Sequence, residues 1–513
     1  MTNSTEGLPA RAAALDLLHA ALARRAGLDD ALSRPPFSAL PPRERGHARA
    51  LVMAALRHLG PIDKLLAARL QKPPPEVVTN ILRLGAAELF WLAAPDFAVV
   101  STSVDLAASR PDARAFKGLV NAVLRGLARD GAPVVESHDF CPDWLYARWT
   151  AAWGQDAAAR IAASIAEEPD ADLSFKDPPS TELTAALGAH EIPGGSWRTA
   201  LGGMVSEWPG FEEGEWWVQD AAAAIPARLL RAMPGESAVD LCATPGVKTL
   251  QLAAAGAEVV AVDRSAQRLQ RVTENLARIG LKAETVAADA ADWSDTRTFD
   301  AVLLDAPCTA TGTFRRHPDV LWASRPGDVA PLAKSQAKLL DAAAGRVKPG
   351  GRLVYCVCSL EPEEGEQQVD GFLKRHPGFR LEPIAPDEGG APAAAITANG
   401  CLRLLPFHLE GGGDGFFAVR FVKSSTAWRG RWPKAGGGEF RRNAFRTPPQ
   451  SLRDNSPALR WSITLLRPFR PAKPGTWPLR PSSPPRSSRP TSRGWGRRRA
   501  RCRPPAPTGC MST

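Results

Sequence analysis

The chain has 513 residues, enough for two or three domains with real cores, and no apolar run reaches the roughly 18 residues that a membrane-spanning helix needs. Eight cysteines are scattered without CxxC pairs, which excludes a disulfide framework and fits a reducing cytoplasm, where free thiols can be nucleophiles. The net charge of +10 comes from one end: residues 424–513 hold 20 Lys and Arg against Glu439 and Asp454, leaving 44 basic and 52 acidic residues in 1–423. Affinity for nucleic acid in the body must therefore come from local patches.

Residues 1–8 lack the basic-then-apolar layout of a signal peptide. From 8 to 130 the pattern is helical, with apolar positions at helix spacing in Leu15, Leu18 and Leu22, across 51–59, and in Val77, Ile81, Leu84 and Leu89. Pro41-Pro42 and Pro73-Pro74-Pro75 separate the helices. Basic residues cluster at Arg43, Arg45, Arg49, Arg57, Lys117 and Arg125. On charge alone they read as solvated helix faces, and in an RNA-contacting bundle they would hold phosphates. The run Phe116-Lys-Gly-Leu-Val-Asn-Ala-Val-Leu-Arg125 resembles the closing helix of a NusB-like domain, an RNA-binding helical fold, and residues 1–134 are assigned to it.

Residues 135–205 read as a connector, helical over 144–166 and then broken by Pro and Gly, with no assignable chemistry. From 206 to 422 strands alternate with helices, the pattern of an α/β, Rossmann-like, doubly wound parallel sheet. Strands are expected at 238–242, 258–263, 284–288, 301–305, 352–358 and 416–421, with helices at 266–279 and 330–347.

Chemistry concentrates where these strands end. The first runs into Cys242, Ala243, Thr244, Pro245, Gly246, Val247 and Lys248, a small-residue loop from which a helix departs. Such a loop lets backbone N–H groups approach a ligand, and the helix N-terminus favours an anionic part of it. The next strands end in Asp263, Asp289 and Asp305. One or two acids there could be helix caps, but a series, with Asp263 placed for a ribose diol, points to a nucleoside cofactor. Without GxGxxG or a Walker pattern, S-adenosylmethionine remains. The run 299–308 ends in Pro-Cys308, and 353–362 passes through Cys356 and Cys358 into an acidic cluster. If these strands are neighbours, Cys308 and Cys358 share one pocket.

These pieces resemble the Sun-type RNA cytosine-5 methyltransferases, whose bacterial small-subunit ribosomal RNA member carries a NusB-like domain in front. The matching runs are 218–221, 240–249, 262–269 with Asn275 and Gly280, Asp305–Cys308, Thr311-Gly312, Arg315–Asp319 with Trp322, 353–360 and 414–418, in family order. The resemblance implies S-adenosylmethionine-dependent methylation of a cytidine at carbon 5, small-subunit ribosomal RNA as partner, no membrane, and a monomer in the cytoplasm. It implies Cys358 as the nucleophile on carbon 6, Cys308 in the later elimination, Asp305 on the cofactor side and polarising the base, and Lys248 orienting both. A thiol followed by Ser359 and a helix start could have its pKa lowered by helix N–H groups.

Cys356 reads as a buried core thiol, and Cys141, Cys401, Cys502 and Cys510 show no partner pattern. No metal site is expected, since Cys308, Cys356 and Cys358 come without a histidine or CxxC pair. Arg315, Arg316 and His317 are expected to grip the substrate backbone. One departure from the family is Val247, where it has a second glycine: the valine is strained if that position needs positive φ, or crowds the methionine end if it only makes room, and either weakens cofactor binding. Another is Cys356-Val357, which should be tolerated. A DNA cytosine-5 methyltransferase, with Cys308 as nucleophile, and a non-catalytic ribosome-assembly RNA-binding protein are the rival readings. Residues 423–513 are expected to be a disordered basic tail, or an out-of-frame extension given the 18 Arg to two Lys of residues 424–513.

Overall fold

The computed structural model describes residues 7–23 and 27–425. Residues 1–6, 24–26 and 426–513 lie outside it, and with them the stretch compared with a signal peptide and nearly all of the expected basic tail.

Among the described residues, seven α-helices form the N-terminal part: α1 (Leu8–Ala23), α2 (Gly27–Leu32), α3 (Pro42–Arg57), α4 (Leu59–Ala67), α5 (Glu76–Trp91), α6 (Asp96–Ser109) and α7 (Lys117–Asp130). Prolines open three of them, Pro41 before α3, Pro75 before α5 and Pro95 before α6, because a helix start suits proline's fixed φ and does not need its missing N–H. Leu15, Leu18, Leu51, Ile81 and Leu84 meet in one core. Burying each such side chain contributes roughly 1.5–3 kcal/mol.

Two helices follow, α8 (Asp143–Trp153) and α9 (Gln155–Ala163), then β1 (Ala171–Phe175), α10 (Thr181–Leu187), β2 (His190–Ile192) and β3 (Ser196–Thr199). These strands form a small antiparallel sheet with β4 (Trp216–Val218), in the order β2-β3-β1-β4. A strand from beyond residue 205 thus completes a sheet begun before it. Its three residues are too few to show a period.

The remaining elements are α11 (Ala221–Leu229), β5 (Ser237–Leu241), α12 (Val247–Ala254), β6 (Glu258–Asp263), α13 (Ala266–Ile279), β7 (Glu284–Ala287), β8 (Phe299–Asp305), α14 (Pro318–Ala323), α15 (Val329–Arg346), β9 (Val347–Val357), α16 (Glu366–Arg375), β10 (Phe379–Leu381), β11 (Leu402–Leu404) and β12 (Phe416–Lys423). The sheet runs β10-β12-β9-β8-β5-β6-β7, with β11 also on β12. Strands β5 to β9 are mutually parallel, but β12 is antiparallel to β9. The sheet is therefore mixed rather than parallel throughout. A strand's apolar pattern carries no direction, and the connections alone decide it.

Alternate residues of each strand enter opposite cores, as a period of two requires. Val302, Leu304, Leu353, Tyr355 and Val419 lie on one face, and Ala301, Leu303, Val354, Cys356 and Ala418 on the other. Helix α13 has sequence-coded ends: the Ser265 hydroxyl accepts the Arg268 N–H at 3.2 Å, and Gly280 closes it at φ 72°.

The helical part is tied to the chain after α9 and to the stretch that follows β8. Buried Arg57, at the end of α3, donates to the carbonyls of Ile165 (3.2 Å), Glu167 (3.0 Å) and Arg315. Trp322 Nε1 donates to Leu56 O at 2.7 Å. Arg57 is thus not one of the solvated or phosphate-holding residues its charge suggested, whereas Arg43, Arg49, Lys117 and Arg125 are exposed.

Candidate active site

Strands β8 and β9 are parallel neighbours, with Asp305 paired in register with Cys356. Each chain emerging past these ends carries a thiol, and Cys308 Sγ and Cys358 Sγ lie 3.5 Å apart. Both are half-buried. The hydrogen bond to Cys358, burial and nearby negative charge, including Glu364, raise the Cys308 thiol well above its usual range. It keeps its proton at neutral pH.

Below the thiols, Lys248 at the start of α12 donates to Asp305 Oδ2 at 2.8 Å. Burial works against the Lys248 charge, but Asp305 and the other negative groups around it outweigh that and raise its pKa. Cys356 is fully buried and donates to Asp305 Oδ1 at 3.5 Å. It packs in the core yet touches the same carboxylate as Lys248. Asp240 is fully buried beside them; burial, despite the Thr249 hydroxyl at 2.6 Å, and the charges of Asp305 and Asp263 push it up to about 7. Its Oδ1 has no hydrogen-bond partner among the described residues.

The loop from β5 to α12 turns through left-handed backbone at Cys242 (φ 63°) and Gly246 (φ 103°). Burial first, then the surrounding acids, push the Cys242 thiol up to about 12. Ala243 N donates to Val262 O at 3.0 Å, fixing the loop to β6. The Thr244 hydroxyl donates to Asp263 Oδ2 at 2.5 Å, Ser265 N donates to Oδ1 at 2.9 Å, and the Thr244–Pro245 peptide is cis. Positive φ falls on Gly246, while Val247 is the first residue of α12 and packs against the cluster of Leu250 and Val272. Of the two alternatives for Val247, the backbone strain that a positive φ would bring is therefore absent. Asp289 stands exposed beyond β7 and accepts Ala291 N at 2.9 Å.

Two expectations need correction. Helix α16 starts at Glu366, not directly after Ser359, so its N-terminus does not abut the Cys358 thiol. The loop between folds back instead, and Glu364 is buried behind the two cysteines, a residue hidden in the sequence among Glu361, Glu363 and Glu366. The basic run also turns inward. Arg316 Nε donates to the Asp414 carboxylate at 2.9 and 3.0 Å, Arg315 is 6% exposed, and burial with the charges of Arg316, Arg49 and Arg57 lowers His317 to about 4. Arg316 is thus paired inside the fold, while Arg315 Nε and Nη2 find no hydrogen-bond partner among the described residues.

The donor set fits a nucleoside cofactor. Carboxylates end successive strands at Asp263, Asp289 and Asp305, where hydroxyl and amino groups can donate to them, and the 242–248 loop meets the same edge. A parallel sheet with an antiparallel strand at one side and this edge chemistry defines a Rossmann-like, S-adenosylmethionine-dependent methyltransferase, here behind a helical domain. Residues 227–422 match the model of the family described as 16S rRNA methyltransferase RsmB/F, and residues 8–129 that of the NusB family. Ribosomal RNA small subunit methyltransferase B of Pseudomonas syringae pv. tomato is 35% identical over 446 residues, covering 82% of this chain and 98% of that protein. The protein of that name from Thermus thermophilus is 40% identical over 415 residues, covering 78% and 93%. The chain belongs to this family of RNA methyltransferases. In fold it is similar to the crystal structure of PH0851, with a TM-score of 0.67 at 23% identity over 81% of this chain and 99% of that one.

Proposed function

We propose that the protein methylates carbon 5 of a cytidine in 16S ribosomal RNA through a covalent link between Cys358 and carbon 6 of the base. The observation that carries this reading is the pair of thiols 3.5 Å apart at the ends of β8 and β9, beside the Lys248–Asp305 pair. Carbon 5 of cytosine is a weak nucleophile. Addition of the Cys358 thiolate to carbon 6 moves an electron pair toward carbon 5 and makes it enamine-like. Bound S-adenosylmethionine supplies an electrophilic methyl group, held by the 242–248 loop with Asp263, Asp289 and Asp305. Asp305, oriented by Lys248, hydrogen-bonds the base ring and stabilises the charge that addition creates. Carbon 5 takes the methyl group and then gives up its proton to water, the bond between carbon 6 and the Cys358 sulfur breaks, Cys358 leaves as thiolate, and the carbon 5–carbon 6 double bond returns. Cys308, with its sulfur 3.5 Å from that of Cys358, serves this release and not the attack.

Small-subunit ribosomal RNA as substrate is supported by the names of the relatives. The reading takes residues 1–134 as the RNA-binding domain, 135–205 as the connector and 206–422 as the catalytic domain, in a monomeric cytoplasmic enzyme. Bisulfite mapping of 16S ribosomal RNA tests it. One cytidine should lose its methylation in a deletion strain and regain it with the intact gene. An unchanged map would reject the assignment.

A further inference from the structure

We infer that Glu364 sets the positions of the two thiols, as a positioning residue for the cytosine methylation proposed above, on which this role rests. Its carboxylate is fully buried and joins three segments. From the chain after β8 it accepts the Thr309 backbone N–H at 3.0 Å and the Thr309 hydroxyl, one residue past Cys308. From the chain after β9 it accepts the Ser359 hydroxyl at 2.5 Å, one residue past Cys358. From α15 it accepts Gln336 Nε2 at 3.0 Å, and the same amide nitrogen donates to Pro307 O at 2.9 Å, one residue before Cys308. The Glu364 backbone is pinned in turn, since the Tyr355 hydroxyl donates to its carbonyl at 2.6 Å.

Each thiol is thus held through its chain neighbour by one carboxylate, so the spacing between the thiols depends on Glu364. A bare turn would need only a neutral acceptor. A carboxylate that takes four donors is a stronger and more directional tie. Its charge matters as well: Glu364 is one of the groups that raise the Cys308 thiol and keep the proton there. Arg403, beside this loop, is paired with Glu366 and donates to Ser359 O.

The test is full-length Glu364→Gln, which keeps the shape and removes the charge and half of the acceptor capacity. Misplacing reactive groups by a fraction of an ångström should lower kcat on the order of 100-fold. KM for RNA and for S-adenosylmethionine should stay within about twofold, because the Glu364 carboxylate is fully buried and already taken by four protein donors. In the free protein, the pH midpoint for alkylation of Cys308 by iodoacetamide, read by peptide mass spectrometry, should move down. Thr309→Ser, which keeps both donors, should retain the activity. An unchanged kcat, or a loss matched by the fraction of unfolded protein with an unmoved alkylation profile, would overturn the proposal. If Glu364→Gln does not fold, Thr309→Val and Ser359→Ala each remove one donor and should lower kcat in the same direction, while the Cys308 alkylation midpoint does not move down because the Glu364 charge remains; unchanged kcat in both would overturn the proposal. Alkylation needs no RNA, so it judges Glu364 even if the cytosine reading fails.

Discussion

Lys248 donates to Asp305 at 2.8 Å from a side chain only 6% exposed. The pair sits against buried Asp240, so the site concentrates negative charge around one ammonium. Removing that ammonium leaves Asp305 without its cation, and Lys248→Met is expected to destabilise the fold by about 3 kcal/mol. Adding Asp305→Asn should return much of the loss, because the orphaned charge is then gone. Urea unfolding of the two single variants and the double variant measures the coupling.

At the cofactor loop, Gly246 sits where a side chain is strained. Its φ is 103°, and a Cβ there would come within 3.0 Å of Val272. Gly246→Ala should cost about 1–3 kcal/mol and weaken S-adenosylmethionine binding. Val247 is helical and packed, so Val247→Gly should cost up to about 1 kcal/mol and leave cofactor affinity within about twofold. Titration calorimetry with melting curves separates the two. Tighter binding by Val247→Gly would show that the valine crowds the methionine end.

Arg57 joins the helical domain to the catalytic one. Arg57→Ala strips a donor from three carbonyls at once, those of Ile165, Glu167 and Arg315, and should destabilise by about 3 kcal/mol or more. Arg57→Lys should recover part of it. Denaturant midpoints of the purified variants give the answer.

Acid sensitivity should be built into the same seam. Burial, partly offset by its bond to Ala54 O and assisted by Arg57, lowers His58 to about 4. The unfolded chain takes up a proton near pH 6.5 while the folded chain does not, so stability falls as pH drops from 6.5 toward 4. His58 alone should remove about 2 kcal/mol between pH 7 and pH 5. His58→Phe, which keeps the stack on Trp91, should flatten that slope. A slope equal to that of the unaltered protein would contradict it.

The alternation of strands and helices, the helical N-terminal part and the meeting of Cys308 with Cys358 were legible because each rests on local periodicity or on strand ends. Arg57 was not, since a basic residue on a helix reads the same whether it faces water or three carbonyls from two other segments. Glu364 was hidden for a related reason: among four closely spaced acids, only the tertiary fold selects the one that faces Thr309, Ser359 and Gln336. The direction of β12 and the place of β4 depend on connections that apolar patterning does not encode. Val247 shows the converse, a local irregularity that the structure resolves by putting the positive φ one residue earlier.

The division of labour between the two thiols is tested most directly by trapping the protein on RNA. Purified Cys308→Ala and Cys358→Ala variants would be incubated with unmethylated 16S ribosomal RNA and S-adenosylmethionine and run on a denaturing gel. Cys308→Ala should accumulate a band of protein covalently joined to RNA, and Cys358→Ala should give neither adduct nor methyl transfer. An adduct that forms in Cys358→Ala and not in Cys308→Ala would contradict the account and make Cys308 the nucleophile.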